Sequence, residues 1–170
     1  MKIKILIPVY NDWQSVFKLL ENINSEVSNL GHEFSVIIVN DASTESKPEL
    51  TTNLDNLNSI KIINMRENRG HARCNATGLK HIFENEEFDY VIPMDGDGED
   101  RPEEIKQLVD NLNYHPDKPI VGERIKRSEG IFFQSLYQLH KLITFIFTGQ
   151  NINFGNYSIL TRKDVDKLHS

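Results

Sequence analysis

Buried strands that alternate with amphipathic helices constrain this chain more than any other feature. The apolar, β-branched runs that predict strands are KIKILIPV at 2–9, EFSVIIVND at 33–41, SIKIINM at 59–65, FDYVIPMD at 88–95 and KPIVGERI at 118–125. Continuous apolar runs of this length are typical of strands that are covered on both faces. Their alternation with helices predicts an α/β fold with three layers, in which a mostly parallel sheet lies between two layers of helices.

The segments between these strands carry apolar residues at helical spacing. The predicted helices cover 11–31, 70–85, 101–112 and 131–147, and a short strand runs into a last helix within 153–168. The first helix has Asn11 or Asp12 as its cap and stops at Gly31. Asp100 and Glu103 predict a capping box at the start of the third helix.

Length, net charge and cysteine content limit the classes of protein to which this chain can belong. A length of 170 residues corresponds to about one domain, here 1–170. The net charge of −6 argues against a nucleic-acid-binding surface. Cys74 is the single cysteine, so an internal disulfide is excluded. The N-terminal residues do not resemble a secretory signal and no apolar run is long enough to span a bilayer. We therefore expect a cytoplasmic protein that binds no nucleic acid.

Acidic side chains follow three of the predicted strands. Asp12 comes after the first strand, Asp41 ends the second, and Asp95 and Asp97 follow the fourth in MDGDGED. The carboxyl ends of parallel strands meet at one edge of a sheet, where ligands of such sheets bind. We therefore expect these acids to share one rim. A structural role is the alternative, because Asp12 can cap a helix and Asp41 can belong to a turn.

A bound cation explains Asp95 and Asp97 best. Two carboxylates one residue apart repel each other unless a positive charge lies between them. Gly96 and Gly98 allow the backbone to approach a ligand closely. Mg²⁺ or Mn²⁺ takes oxygen ligands and, when few carboxylates hold it, completes its shell with water and substrate phosphates. The sequence has no Walker-type loop and no G-x-G-x-x-G motif, which disfavours an ATPase or a dinucleotide enzyme.

Four ordered motifs resemble glycosyltransferase family 2, whose members have the GT-A fold. They are IPVYND, VIIVNDAST, ENRGHARCNATGLKHI and MDGDGEDRPEEI, the last of which resembles the D-x-D loop. VGERIKRSE and NFGNYSILTRKDVDKL resemble segments of the polyprenyl-phosphate branch, which includes dolichol-phosphate mannosyltransferase. Asn156 replaces an acid of that branch and Ser158 an arginine, and both departures concern the acceptor. Because the family's domain continues further, we expect this chain to be truncated at its acceptor end.

The resemblance implies which residues bind a nucleotide-sugar donor. These residues are Pro8, Tyr10, Asp12, Val39, Asp41, Gly70, Asp95, Gly96 and Arg124. Pro8, Tyr10 and Asp12 would line the pocket for the base and the ribose. Val39 and Asp41 would contact the base. Asp95 would face the ribose or the donor sugar, and Arg124 would bind a phosphate.

The resemblance also implies the reaction and its cofactor. Asp95 and Asp97 would be the catalytic residues, and Asp97 with Glu99 would hold Mg²⁺ or Mn²⁺ on the diphosphate. The implied enzyme is a metal-dependent inverting glycosyltransferase of cell envelope biogenesis. It would move a sugar from a UDP- or GDP-sugar to a polyprenyl phosphate or a growing cell-surface glycan. A cation stabilises the leaving diphosphate, and an anionic lipid phosphate needs no general base.

Two other functions stay open at this point. A non-catalytic nucleotide-sugar-binding module would keep the donor half alone. A sugar nucleotidyltransferase would have a glycine-rich loop after the first strand, and PVYND has none. The apolar helix predicted at 131–147 is either a core helix or an interfacial helix that rests on the inner face of a membrane.

Overall fold

Six strands form one sheet in the order β3-β2-β1-β4-β6-β5. The computed structural model describes residues 1–98, 100–121 and 157–169. The strands are β1 (Lys2–Val9), β2 (Glu33–Asn40), β3 (Ser59–Asn64), β4 (Tyr90–Pro93), β5 (Ile120–Val121) and β6 (Ser158–Thr161). The pairs β3-β2, β2-β1 and β1-β4 are parallel, and β6 runs antiparallel to β4 and β5. The prediction of a mostly parallel sheet is confirmed.

The helices of the described residues follow the predicted pattern. They are α1 (Trp13–Val27), α2 (His71–Asn85), α3 (Ile105–Leu112) and α4 (Arg162–His169), with a short 3-10 helix (Pro102–Glu104) directly before α3. The helix predicted at 131–147 lies outside the described residues, and so does the predicted strand 118–125 beyond residue 121. None of the helices that the structure describes is long and apolar enough to cross a membrane.

Apolar side chains pack on both faces of the sheet, because neighbouring residues of a strand point to opposite faces. Ile5 and its neighbours on one face pack against residues of α1 and α3 that include Val16, Leu20, Ile23, Ile105 and Val109. Leu6 and its neighbours on the other face pack against residues of α2 and α4 that include Leu79, Ile82 and Val165. These two cores confirm the three-layer α/β/α architecture.

The parallel register brings the ends of three strands to one edge. Val9 pairs with Asn40, and Asn40 pairs with Asn64, so β1, β2 and β3 end side by side. The loop after β4 lies directly against the end of β1. A Cβ added at Gly96 would lie 2.9 Å from the carbonyl oxygen of Pro8. That distance is too short for any side chain, so this close approach requires glycine.

Candidate functional site

A cavity of about 340 Å³ lies at this carboxyl edge of the sheet. The residues that line it are Pro8, Val9, Tyr10, Asp12, Val16, His71, Asp95, Gly96 and Asp97. We call it the rim cavity. Those among them that the sequence predicted as site residues are Pro8, Tyr10, Asp12, Asp95, Gly96 and Asp97. The structure therefore brings the exits of β1 and β4 together with the start of α2.

Three predicted residues within the described part of the chain do not line the rim cavity. Val39 is fully buried in the core, and Asp41 is only 3% exposed. Gly70 occupies the position before α2, with a φ of 83° that favours glycine. Arg124 and Glu99 lie outside the described residues. The contacts that the resemblance implies for these five residues stay predictions.

Asp41 anchors the connection between β3 and α2. Its two carboxylate oxygens accept hydrogen bonds from the backbone N–H groups of Arg69 and Gly70, each over 2.8 Å. Buried carboxylates require such partners, because burial removes the water that would otherwise solvate the charge. Asp41 therefore fixes the point at which α2 begins, next to the rim cavity.

The loop after β1 both caps helix α1 and forms part of the cavity wall. Asp12 precedes α1 and accepts a hydrogen bond from the backbone N–H of Ser15 over 3.3 Å. The same residue lines the rim cavity, so the capping role and a ligand-facing position coexist. Asn11 has a φ of 53° and its Oδ1 accepts from the N–H groups of Thr44 and Glu45 at 2.8 and 3.1 Å. This side chain joins the loops that follow β1 and β2.

Asp100 holds the backbone of the acidic segment that follows β4, residues 94–100. It is 3% exposed, and one of its carboxylate oxygens accepts a hydrogen bond from the backbone N–H of Asp95 over 2.8 Å. The 3-10 helix has Arg101 at its cap position, without a side-chain hydrogen bond there. Asp100 therefore does not occupy the helix cap that the sequence predicted. Its carboxylate instead fixes the backbone at Asp95, whose side chain lines the cavity.

His71 also lines the rim cavity, although the sequence motifs do not predict it as a site residue. Its Nε2 lies 2.7 Å from Oδ1 of Asp95, and Nδ2 of Asn75 lies 3.1 Å from the same ring nitrogen. His71 is the first residue of α2, directly after Gly70. The sequence does carry one signal for His71. It is a polar ring directly after the glycine that starts a helix, and that helix begins at the carboxyl edge of the predicted sheet.

The rim cavity is lined by negatively charged side chains, which favour a cation as a ligand. Asp12, Asp95 and Asp97 line it, and no lysine or arginine lines it within residues 1–98, 100–121 and 157–169. Oxygen ligands of this kind suit Mg²⁺ or Mn²⁺, and a diphosphate would be repelled from these carboxylates without such a cation. The described part of the chain contains no group of three or more His, Cys, Asp or Glu placed to hold a metal. The donor set fits a cation whose shell is completed by a ligand's phosphate oxygens.

Cys74 lies on α2 next to Asp41, so the reactivity of its thiol reports on the packing around Asp41. It is 1% exposed, and burial together with the charge of Asp41 raises the pKa of its thiol to about 12. The reactive thiolate is therefore scarce at neutral pH. We expect a disulfide reagent such as DTNB to leave the native protein unmodified and to modify one thiol after unfolding in guanidinium. Rapid modification of the native protein would contradict the buried position.

Sequence comparison places the chain in a family. The profile described as Glycosyl transferase family 2 matches residues 4–165. The curated relatives include undecaprenyl-phosphate 4-deoxy-4-formamido-L-arabinose transferases of Klebsiella pneumoniae (strain 342), 26% identical, and of Salmonella newport (strain SL254), 27% identical, each over 164 residues. Each alignment covers 95% of this chain and 48% of the relative. The chain thus spans about half the length of the curated relatives it matches.

Solved structures with the same fold include a mannosyltransferase and a protein in complex with a nucleotide sugar. The mannosyltransferase PcManGT from Pyrobaculum calidifontis, in complex with GDP-Man and Mn²⁺, has a TM-score of 0.61 at 20% identity, over 98% of this chain and 46% of that one. S. aureus TarS 1–349 in complex with UDP-GlcNAc has a TM-score of 0.59 at 22% identity, over 77% of this chain and 37% of that one. Both confirm the GT-A fold. With the profile match over nearly its whole length, the chain belongs to glycosyl transferase family 2.

Proposed function

We propose that this chain transfers a sugar from a UDP- or GDP-sugar to a polyprenyl phosphate, with inversion at the anomeric carbon. The observation that carries the proposal is the rim cavity, which gathers the exits of β1 and β4 around Asp95 and Asp97. The curated relatives are named undecaprenyl-phosphate 4-deoxy-4-formamido-L-arabinose transferases, and the lipid phosphate in that name supports a polyprenyl phosphate as the acceptor. The complexes of PcManGT with GDP-Man and of TarS with UDP-GlcNAc support a nucleotide sugar as the donor.

The donor would occupy the rim cavity along its length. Pro8, Tyr10 and Asp12 would contact the base and the ribose, and Tyr10, which lines the cavity, is 48% exposed. An exposed aromatic ring offers a flat surface for a nucleotide base. Asp95 would accept hydrogen bonds from hydroxyl groups of the ribose or the sugar. Arg124 would bind a phosphate.

The negative charges of the leaving diphosphate and of the acceptor phosphate determine what the site must supply for sugar transfer. A divalent cation held by Asp97 and Glu99 would neutralise the charge that develops on the leaving nucleoside diphosphate. The bond between the anomeric carbon and the diphosphate oxygen breaks while an acceptor oxygen bonds to the opposite face of that carbon. An acceptor phosphate is already anionic, so this chain needs no general base for the step. A polyprenyl phosphate is a membrane lipid, and the proposal therefore implies peripheral contact with the cytoplasmic face of a membrane.

A transfer assay tests this function. The chain is incubated with UDP- or GDP-linked radiolabelled sugars, Mn²⁺ and undecaprenyl phosphate, and the lipid phase is counted, with a reaction that contains EDTA as the control. We expect label in the lipid phase with one donor class, and none with EDTA. Donor binding without transfer to any acceptor would replace the proposal with a donor-binding module. Absence of both binding and transfer would overturn it.

A further inference from the structure

We propose that His71 is a positioning residue that fixes the orientation of Asp95 for the donor. The inference rests on the proposed function and deepens it. His71 and Asp95 both line the rim cavity, and 2.7 Å separates Nε2 of the ring from Oδ1 of the carboxylate. The side chain of His71 is 52% exposed and that of Asp95 is 23% exposed, so the pair faces the cavity where a ligand would lie.

The imidazole is itself held in place by the fold. Gly70 directly precedes it, and the backbone N–H of Gly70 donates to the buried carboxylate of Asp41 over 2.8 Å. Asn75 lies one helical turn after His71, and its amide packs against the ring, with Nδ2 3.1 Å from Nε2. Because Nε2 donates its single hydrogen to Asp95, Asn75 is a packing neighbour of the ring and not a second hydrogen-bond partner of that nitrogen. Residues four apart on a helix lie on the same face, so this contact needs no distortion. The ring therefore has fixed neighbours on its own helix and in the anchored loop before it.

Asp95 needs such a partner because of the loop that carries it. Gly96 and Gly98 follow it, and Gly98 has a φ of 81°, so the segment contains residues with wide backbone freedom. Asp100 fixes the backbone N–H of Asp95, while His71 fixes one oxygen of its side chain. A carboxylate that is oriented before the ligand arrives binds donor hydroxyls without a further ordering cost. The two contacts thus preorganise both the backbone and the side chain of Asp95.

The test is a double-mutant cycle on donor binding. Wild type, His71→Ala, Asp95→Asn and the double variant are titrated calorimetrically with the UDP- or GDP-sugar that the wild type binds in the presence of Mn²⁺. We expect His71→Ala to weaken binding about 10-fold, the scale of one hydrogen bond to a charged group. The same change should have little further effect in the Asp95→Asn protein, because its effect passes through that carboxylate. His71→Gln, whose amide can donate to Asp95, should restore most of the affinity.

His81→Ala is the matched control. His81 lies on the same helix near its far end, next to Glu86, and should leave binding unchanged. Equal unfolding temperatures of all variants establish that each is folded. Unchanged binding in His71→Ala, or losses from His71→Ala and Asp95→Asn that add fully in the double variant, would overturn the positioning role alone. Failure of the wild type to bind any nucleotide sugar would overturn the proposed function together with this inference.

Discussion

Asp97→Ala is expected to weaken metal-dependent binding of the nucleoside diphosphate by at least about 100-fold, since loss of even an outer partner of a metal site costs 10- to 100-fold. Asp97 lines the rim cavity in the D-x-D segment, where we propose that it holds the cation on the diphosphate. Without the cation, the carboxylates of Asp12 and Asp95 repel the ligand. Isothermal titration with UDP and GDP in the presence of Mn²⁺ measures the loss.

Asp117→Ala is the matched control for this substitution. Asp117 is exposed and lies near Met1 and Asp89, which belong to the opposite edge of the sheet. Its removal changes the net charge by the same amount, so nonspecific electrostatic effects cancel in the comparison. Nucleotide affinity that fell equally in both variants would show that net charge, and not the carboxylate of the D-x-D segment, controls binding.

Asp41→Ala is expected to lower the free energy of unfolding by roughly 3 kcal/mol, because hydrogen bonds to a buried charged group are among the stronger ones. The substitution leaves the backbone N–H groups of Arg69 and Gly70 without their carboxylate acceptor at a partly buried position. It should also release the start of α2 and make the thiol of Cys74 accessible to DTNB. Urea-induced unfolding followed by circular dichroism measures the stability.

Asp110→Ala provides the comparison for Asp41. Asp110 is exposed on α3 and pairs with Lys106 one turn earlier. Exposed pairs of this kind contribute about 0.5 kcal/mol or less. An Asp41 variant as stable as the Asp110 variant would show that the buried carboxylate does not anchor the loop.

The strands could be predicted from the sequence because their signal is local. The run at 2–9 is apolar at every position except Lys2 and Lys4, and the structure covers both faces, with Ile5 in one core and Leu6 in the other. The direction of β6 could not be predicted. A strand as short as SILT at 158–161 carries no directional signal, and its antiparallel pairing with β4 joins residues about 70 positions apart, Tyr90 with Thr161 and Val91 with Leu160.

The acids of the rim were predictable for the same reason, since each follows a strand end. Their roles were not. Asp41 is a turn residue by its neighbours in sequence, but its partners are the backbone groups of Arg69 and Gly70, 28 and 29 residues later. The contact between His71 and Asp95 spans 24 residues and exists only because α2 starts beside the end of β4. Such pairs depend on tertiary geometry, which no local pattern encodes.

The proposal that the rim cavity holds a nucleoside diphosphate through a divalent cation is tested most directly by calorimetric titration of the wild-type chain. UDP and GDP are each titrated with Mn²⁺ and again with EDTA. We predict that one of the two nucleotides binds, and only when Mn²⁺ is present, which would also identify the donor base. Failure of both to bind, or equal binding with EDTA, would contradict the role of Asp95 and Asp97 at this site.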